Sequence, residues 1–210
     1  MVQFRLLGRI GRVKTTKKRR ERKRSPVVLM VVEGRNKTET LYFENFICKD
    51  IVIKCKSNGE TDIENMAIYA DKVSKEHEIG DIEGDKIYCV FDLDLDDKKY
   101  HKYLNAVEKW PKINFIPSNP CFEVWLMYYF VKNPKALSTS KRVKNELKKL
   151  IPNYNEGLNV SKDFLYEHHK TAIERSKNKN KLYDAKPEII DRNPYTEVGD
   201  IVEYILNFCK

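Results

Sequence analysis

KIYCVFDLDLDD, Lys86 to Asp97, runs from an unbroken apolar segment straight into four carboxylates, Asp92, Asp94, Asp96 and Asp97. Ile87 to Phe91 is apolar throughout, as expected of a strand buried on both faces of a helix-covered parallel sheet. Acids crowded at the end of such a strand repel one another unless something positive sits among them. The i, i+2 spacing places Asp92 and Asp94 on one side of an extended backbone. Hard oxygen donors in that arrangement suit Mg²⁺ or Mn²⁺. Asp96 and Asp97 read more simply as solvated loop acids. An EF-hand is excluded: counted from Asp92, the sixth position is Asp97 where glycine is needed, and the twelfth is Tyr103 where glutamate is needed.

Working outward, PVVLMVV (Pro26–Val32) is a second apolar run of strand length, followed by Glu33 and Gly34. Ile51–Cys55 and Ile113–Ile116 read as two further strands. Between them lie helical stripes over Thr38–Cys48, from Ile63 onward, and over Lys98–Trp110. Thr61 with Glu64 has the spacing of a capping box. This β-α-β-α-β-α-β order predicts an α/β fold with a mostly parallel four-stranded sheet and flanking helices. Beyond it, Phe122–Phe130, Ser140–Leu150, Ser161–Ser176 and Thr196–Phe208 read as helices, and NKNKL around Asn178 as a loop. The expected organisation is a basic arm over 1–25, an α/β core over 26–135, and a mainly helical C-terminal part over 136–210 packed on that core. Ligands of such sheets bind beyond the carboxyl ends of the strands. If the first and third strands are neighbours, Glu33 converges with Asp92 and Asp94.

The net charge of +9 is unevenly placed. Met1–Arg24 holds 11 Lys and Arg against the single acid Glu21, whereas the remainder carries 29 bases and 30 acids. The arm, with Lys17, Lys18, Arg19, Arg20, Arg22, Lys23 and Arg24, suits contact with a phosphate backbone; a solubilising leader is the plainer alternative. Arg35 and Lys37, close to Glu33, could steady a phosphate or simply be solvated. Five scattered cysteines with no CxxC pair suggest reduced thiols in a cytoplasmic protein, and they argue against a zinc site. No run of 18 apolar residues predicts a membrane span.

Two metal-dependent folds place Asp-x-Asp after a strand. Dehalogenase-type phosphatases follow the pair with Thr or Val, where this chain has Leu95. VVEG (Val31–Gly34) followed by VFDLD (Val90–Asp94) looks instead like the two motifs of a Toprim domain. VVEGRNKTETLYFENF, SNPCFEVWLMYYF (Ser118–Phe130) and NPYTEV (Asn193–Val198) resemble segments of the RloB-like family, and the basic leader is similar too. That resemblance implies a Toprim-like fold, metal-dependent nuclease activity on DNA or on RNA such as tRNA, and a role in bacterial anti-phage defence. An ATPase partner and self-assembly are also within what it implies.

On the resemblance, Glu33, Asp92, Asp94 and Glu123 are the catalytic candidates, and Glu33, Asp92, Asp94 and Glu39 the candidate ligands of Mg²⁺ or Mn²⁺. One ion or two are equally compatible with the sequence. Glu39 reads alternatively as a first-turn acid favoured by the helix dipole, and Glu123 as a helix-start acid. Ser118 and Asn119 are expected to cap the helix that follows. Trp110, Trp125, Tyr128 and Tyr129 read as core. The competing functional class is a nucleic-acid-binding regulatory subunit whose acids are structural.

Overall fold

A computed structural model describes residues 24–34, 38–158 and 167–209. Its centre is β1 (Val27–Val32), buried at every position. Parallel partners flank it: β2 (Val52–Lys56) pairs Val27 with Val52, and β3 (Lys86–Asp92) pairs Val32 with Val90. β4 (Asn114–Asn119) runs parallel outside β3. A fifth strand, β5 (Tyr195–Thr196), pairs antiparallel with the end of β4, giving the order β2-β1-β3-β4-β5. The sheet is thus mostly parallel, with one strand more than the four expected. Two residues show no periodicity, so β5 left no pattern in the sequence.

Strict alternation along the strands divides the core in two. Leu29, Val31, Cys89 and Phe91 face α2 (Ile63–Glu76) and α3 (Asp97–Lys109). Val28, Met30, Val90 and Ile116 face the opposite layer. That layer is built from α1 (Thr38–Glu44), α4 (Glu123–Phe130), α5 (Ser140–Leu150), α6 (His169–Lys181) and α7 (Val198–Leu206). α4 is the apolar centre of this second layer, with Trp125, Leu126 and Tyr128 fully buried. Each such side chain contributes about 1.5–3 kcal/mol of burial.

Several local expectations change. The N-cap of α2 is Asp62, which accepts the N–H groups of Glu64 and Asn65; Thr61 is not the cap. NKNK lies inside α6 and Leu182 is its C-cap, because Ala172, Ile173 and Ser176 bury one face and the Asn180 amide donates to the Thr196 carbonyl at 2.9 Å. The stretch 161–166 of the expected Ser161–Ser176 helix lies outside the described residues. Thr196 belongs to β5, so the last helix starts at Val198. Ser118 and Asn119 do not cap α4, which has no side-chain cap. Ser118 instead shares a 2.8 Å hydrogen bond with Thr196. The Asn119 amide donates to the carbonyls of Ile190 and Arg192, both at 2.9 Å.

The chain leaves β1 toward β2 on one side, then crosses back to β3 on the other. The carboxyl ends of β1 and β3 therefore form the crevice where α/β sheets hold ligands.

Candidate metal centre

Glu33 and Gly34 end β1 in a sharp turn. Gly34 has φ +64°, a conformation that glycine adopts without a Cβ penalty, and its N–H donates to the Glu60 carbonyl at 2.7 Å. The turn aims Glu33 across at β3. Its Oε2 accepts the Asp92 N–H at 2.7 Å and its Oε1 accepts Lys99 Nζ at 2.8 Å. Asp92 closes β3, with Oδ1 held by the Phe122 N–H at 2.8 Å. Glu33 and Asp92 therefore converge as the motif spacing predicted.

Asp94 is reached differently. β3 ends at Asp92, and the extended backbone does not continue: Asp94 and Leu95 take φ values of +54° and +59°. Left-handed conformations cost a non-glycine residue about 1–2 kcal/mol, least for Asp and Asn. The turn is held against this cost by three hydrogen bonds. Leu93 N–H donates to the Ser118 carbonyl (2.8 Å), Asp94 N–H to the Pro120 carbonyl (2.9 Å), and Leu95 N–H to Asn119 Oδ1 (3.2 Å). Asp94 Oδ2 then accepts Lys99 Nζ at 2.9 Å, and Oδ1 accepts the Ser140 hydroxyl at 2.7 Å.

The remaining acids come from the helical layer. Glu123, the first residue of α4, is buried; its Oε1 accepts the Tyr154 hydroxyl at 3.0 Å and lies 3.7 Å from Lys144 Nζ. Lys144 also pairs with Glu156. Glu39 lies in the first turn of α1, 6 % exposed, and its Oε2 has no hydrogen-bond partner. Ligand atoms of Asp92, Cys121 and Glu123 all lie within 4.8 Å of one another, a group able to hold a metal ion.

The electrostatics follow from five carboxylates facing two ammonium groups. Burial, then repulsion from Glu39, Glu33 and Glu123, drives the Asp92 pKa well above the ordinary range. Burial also raises Glu33, although Lys99 pulls the other way. Glu39 is pushed up to about 8 by burial and by the charges of Glu123 and Glu33. Burial opposes the charge on Lys99, yet Glu33 and Asp94 outweigh it and its pKa rises. The Cys121 thiol is raised well above its usual value by burial and then by Glu123 and Asp92. Cys121 lines the site beside Asp92 and Glu123, where its soft sulfur suits a hard cation less well than carboxylate oxygen does. What remains is a set of carboxylate oxygens with one of them unpartnered, which fits a hard divalent cation.

A family model described as RloB-like protein matches residues 28–205. The chain belongs to the RloB-like family. No curated protein and no solved structure matches it. The sheet order and strand-end acids of this RloB-like chain are consistent with the Toprim-like fold expected from its motifs.

Of the expected site residues, the fold brings Glu33, Glu39, Asp92, Asp94 and Glu123 to one place. It does not place Arg24 there. The Arg24 guanidinium binds Asp85 at 2.9 and 2.7 Å, just before the start of β3 and at the opposite, amino-terminal end of the parallel strands. Lys17, Lys18, Arg19, Arg20, Arg22, Lys23, Arg35 and Lys37 lie outside the described residues. Asp96 caps α3 through the N–H groups of Lys98 and Lys99, and Asp97 is exposed. Lys98 is exposed, and the neighbouring Lys99 enters the site. A signal was present: lysines in a helix's first turn oppose the dipole and need another reason to be there. Lys144 and Tyr154 gave no signal, since tertiary folding alone delivers them. A groove of about 970 Å³ between α6 and α7 shares no residue with this cluster. No described helix is long and apolar enough to cross a membrane.

Proposed function

We propose that this RloB-like chain is a Mg²⁺- or Mn²⁺-dependent nuclease, hydrolysing phosphodiester bonds in RNA such as tRNA or in DNA, in cytoplasmic anti-phage defence. The observation that carries the reading is the convergence of five carboxylates at the β1/β3 crevice with Glu39 Oε2 left unpartnered. Asp92, Glu123 and Glu39 would hold the ion. When bound, a divalent ion polarises a phosphoryl oxygen and lowers the pKa of water. Glu33, whose pKa burial raises and whose carboxylate the Asp92 N–H orients, is the group placed to accept a proton from the attacking water. Lys99 sets a positive charge beside Glu33 and Asp94, where phosphate oxygens gain charge in the transition state. Ser140 and Lys99 hold Asp94 in a single orientation. The arm, 11 bases against one acid, attracts the polyanion by counterion release.

The test joins a phage challenge to an inventory of intact RNA and DNA. Cells carrying the wild-type chain, with any neighbouring ATPase, are compared with Asp92→Asn and Asp94→Asn. Loss of protection and of cleavage in the variants is expected. Variants that still protect, with no nucleic acid cut by the wild type, would refute nuclease action. If deletion of residues 1–23 then abolishes protection, the chain acts as a nucleic-acid-binding subunit instead.

A further inference from the structure

Two cation positions can be distinguished within the carboxylate cluster, and they are furnished differently. At the first, Asp92 and Glu123 approach one another beside Cys121, and Glu39 Oε2 has no partner. At the second, Glu33 and Asp94 converge from separate strand ends on one point, and Lys99 Nζ stands there. It lies 2.8 Å from Glu33 Oε1 and 2.9 Å from Asp94 Oδ2.

This is no loose surface pair. The Lys99 and Glu33 side chains are 16 % and 13 % exposed. The lysine sits in the first turn of α3, whose path is fixed by the Asp96 cap. An ammonium between two carboxylates from different strands neutralises the same repulsion that a divalent ion would. At the first position the ammonium of Lys144 stands further off, 3.7 Å from Glu123 Oε1, and is shared with Glu156, while Asp92 Oδ1 is held by a backbone N–H.

We propose that Lys99 is a built-in second cation. The chain takes one divalent ion, at Asp92, Glu123 and Glu39, while the Lys99 ammonium fills the Glu33–Asp94 position that a second ion would otherwise occupy. This rests on the nuclease reading above and assigns the ion count within it. An ammonium has three donors, and two are spent on Glu33 and Asp94. The third serves a phosphate oxygen, so the same group that balances the acids also binds substrate.

Metal stoichiometry tests this without requiring turnover or a partner. Metal-stripped protein is titrated with Mn²⁺ by equilibrium dialysis, and the bound ion is observed by electron paramagnetic resonance. One tight ion per chain with an uncoupled six-line spectrum is expected, and Asp92→Asn should lose it. Lys99→Met, checked for folding by circular dichroism, should take a second ion that broadens the spectrum by spin coupling. Lys99→Arg should keep the count at one. Two coupled ions in the wild type would overturn the proposal while leaving a metal-dependent nuclease intact. A folded Lys99→Met that still takes one ion would overturn the role of Lys99. No ion at all in the wild type would sink both this inference and the nuclease reading.

Discussion

Glu39 lets the acidic cluster be weighed through stability alone. Its carboxyl is raised from an ordinary 4.5 to about 8, by burial first and then by Glu123 and Glu33. In metal-free protein the folded state therefore keeps a proton that the unfolded chain releases above pH 4.5. Stability is fully present below that value and is lost as pH rises toward 8. His169 works oppositely: burial lowers it to about 4, so it adds a slope of the other sign between pH 4 and 6.5. The clean window is thus pH 6.5–8. Integrating proton uptake over it gives a loss of about 1.5–2 kcal/mol from Glu39, or about 3–8 °C in Tm for a chain this size. Asp92 pushes in the same direction. Glu39→Gln should make the slope shallower by the Glu39 share, and comparing slopes instead of absolute stabilities cancels whatever the buried amide itself costs. Urea melts of chelator-treated protein at pH 6.5, 7.2 and 8 make the measurement. A wild type whose stability is flat across that window, or a Glu39→Gln with the wild-type slope, would refute the picture of a charge-frustrated site.

Further outcomes follow from contacts elsewhere. Asp85 accepts from Arg24 and from the N–H groups of Val27 and Gly80. Asp85→Ala should cost about 2 kcal/mol in urea denaturation, because two backbone N–H groups and Arg24 together lose a charged acceptor; Arg24→Ala should show the smaller loss. Gly199→Ala would set a Cβ 2.8 Å from Ser176 Oγ and 3.3 Å from Trp125 Cζ3. Overpacking between α6 and α7 should lower stability by about 1–3 kcal/mol in a thermal melt, and Ser176→Ala should recover part of it. Mn²⁺ at a hundred times its Kd should stabilise the wild type by about 2.7 kcal/mol, and Asp92→Asn should lose that gain.

The strand ends were legible because Val27–Val32 and Ile87–Phe91 are apolar without interruption and stop abruptly at acids. That placed Glu33 and Asp92 correctly. DLDL reads as continued alternation, so the left-handed turn at Asp94 and Leu95 was invisible, because its backbone is imposed by β4 and Asn119. Lys98 and Lys99 differ by about 100° of helical rotation, and choosing between them requires knowing that α3 is capped by Asp96. Lys144 and Tyr154 reach Glu123 only through the packing of the helical layer, for which local pattern offers no cue. The polar run around Asn178 looked like a loop because its buried face is narrow and small-sided.

The Asn119 amide joins parts of the chain that are made far apart in time. Its oxygen holds Leu95, beside Asp94, and its nitrogen grips carbonyls 71 and 73 residues further along, at Ile190 and Arg192. During synthesis every carboxylate of the site emerges long before those two carbonyls exist. A nascent or prematurely terminated chain ending before Ile190 thus carries all the acids but lacks the clasp that aims one of them. The order of translation thus withholds the finished site until after Arg192 has been made.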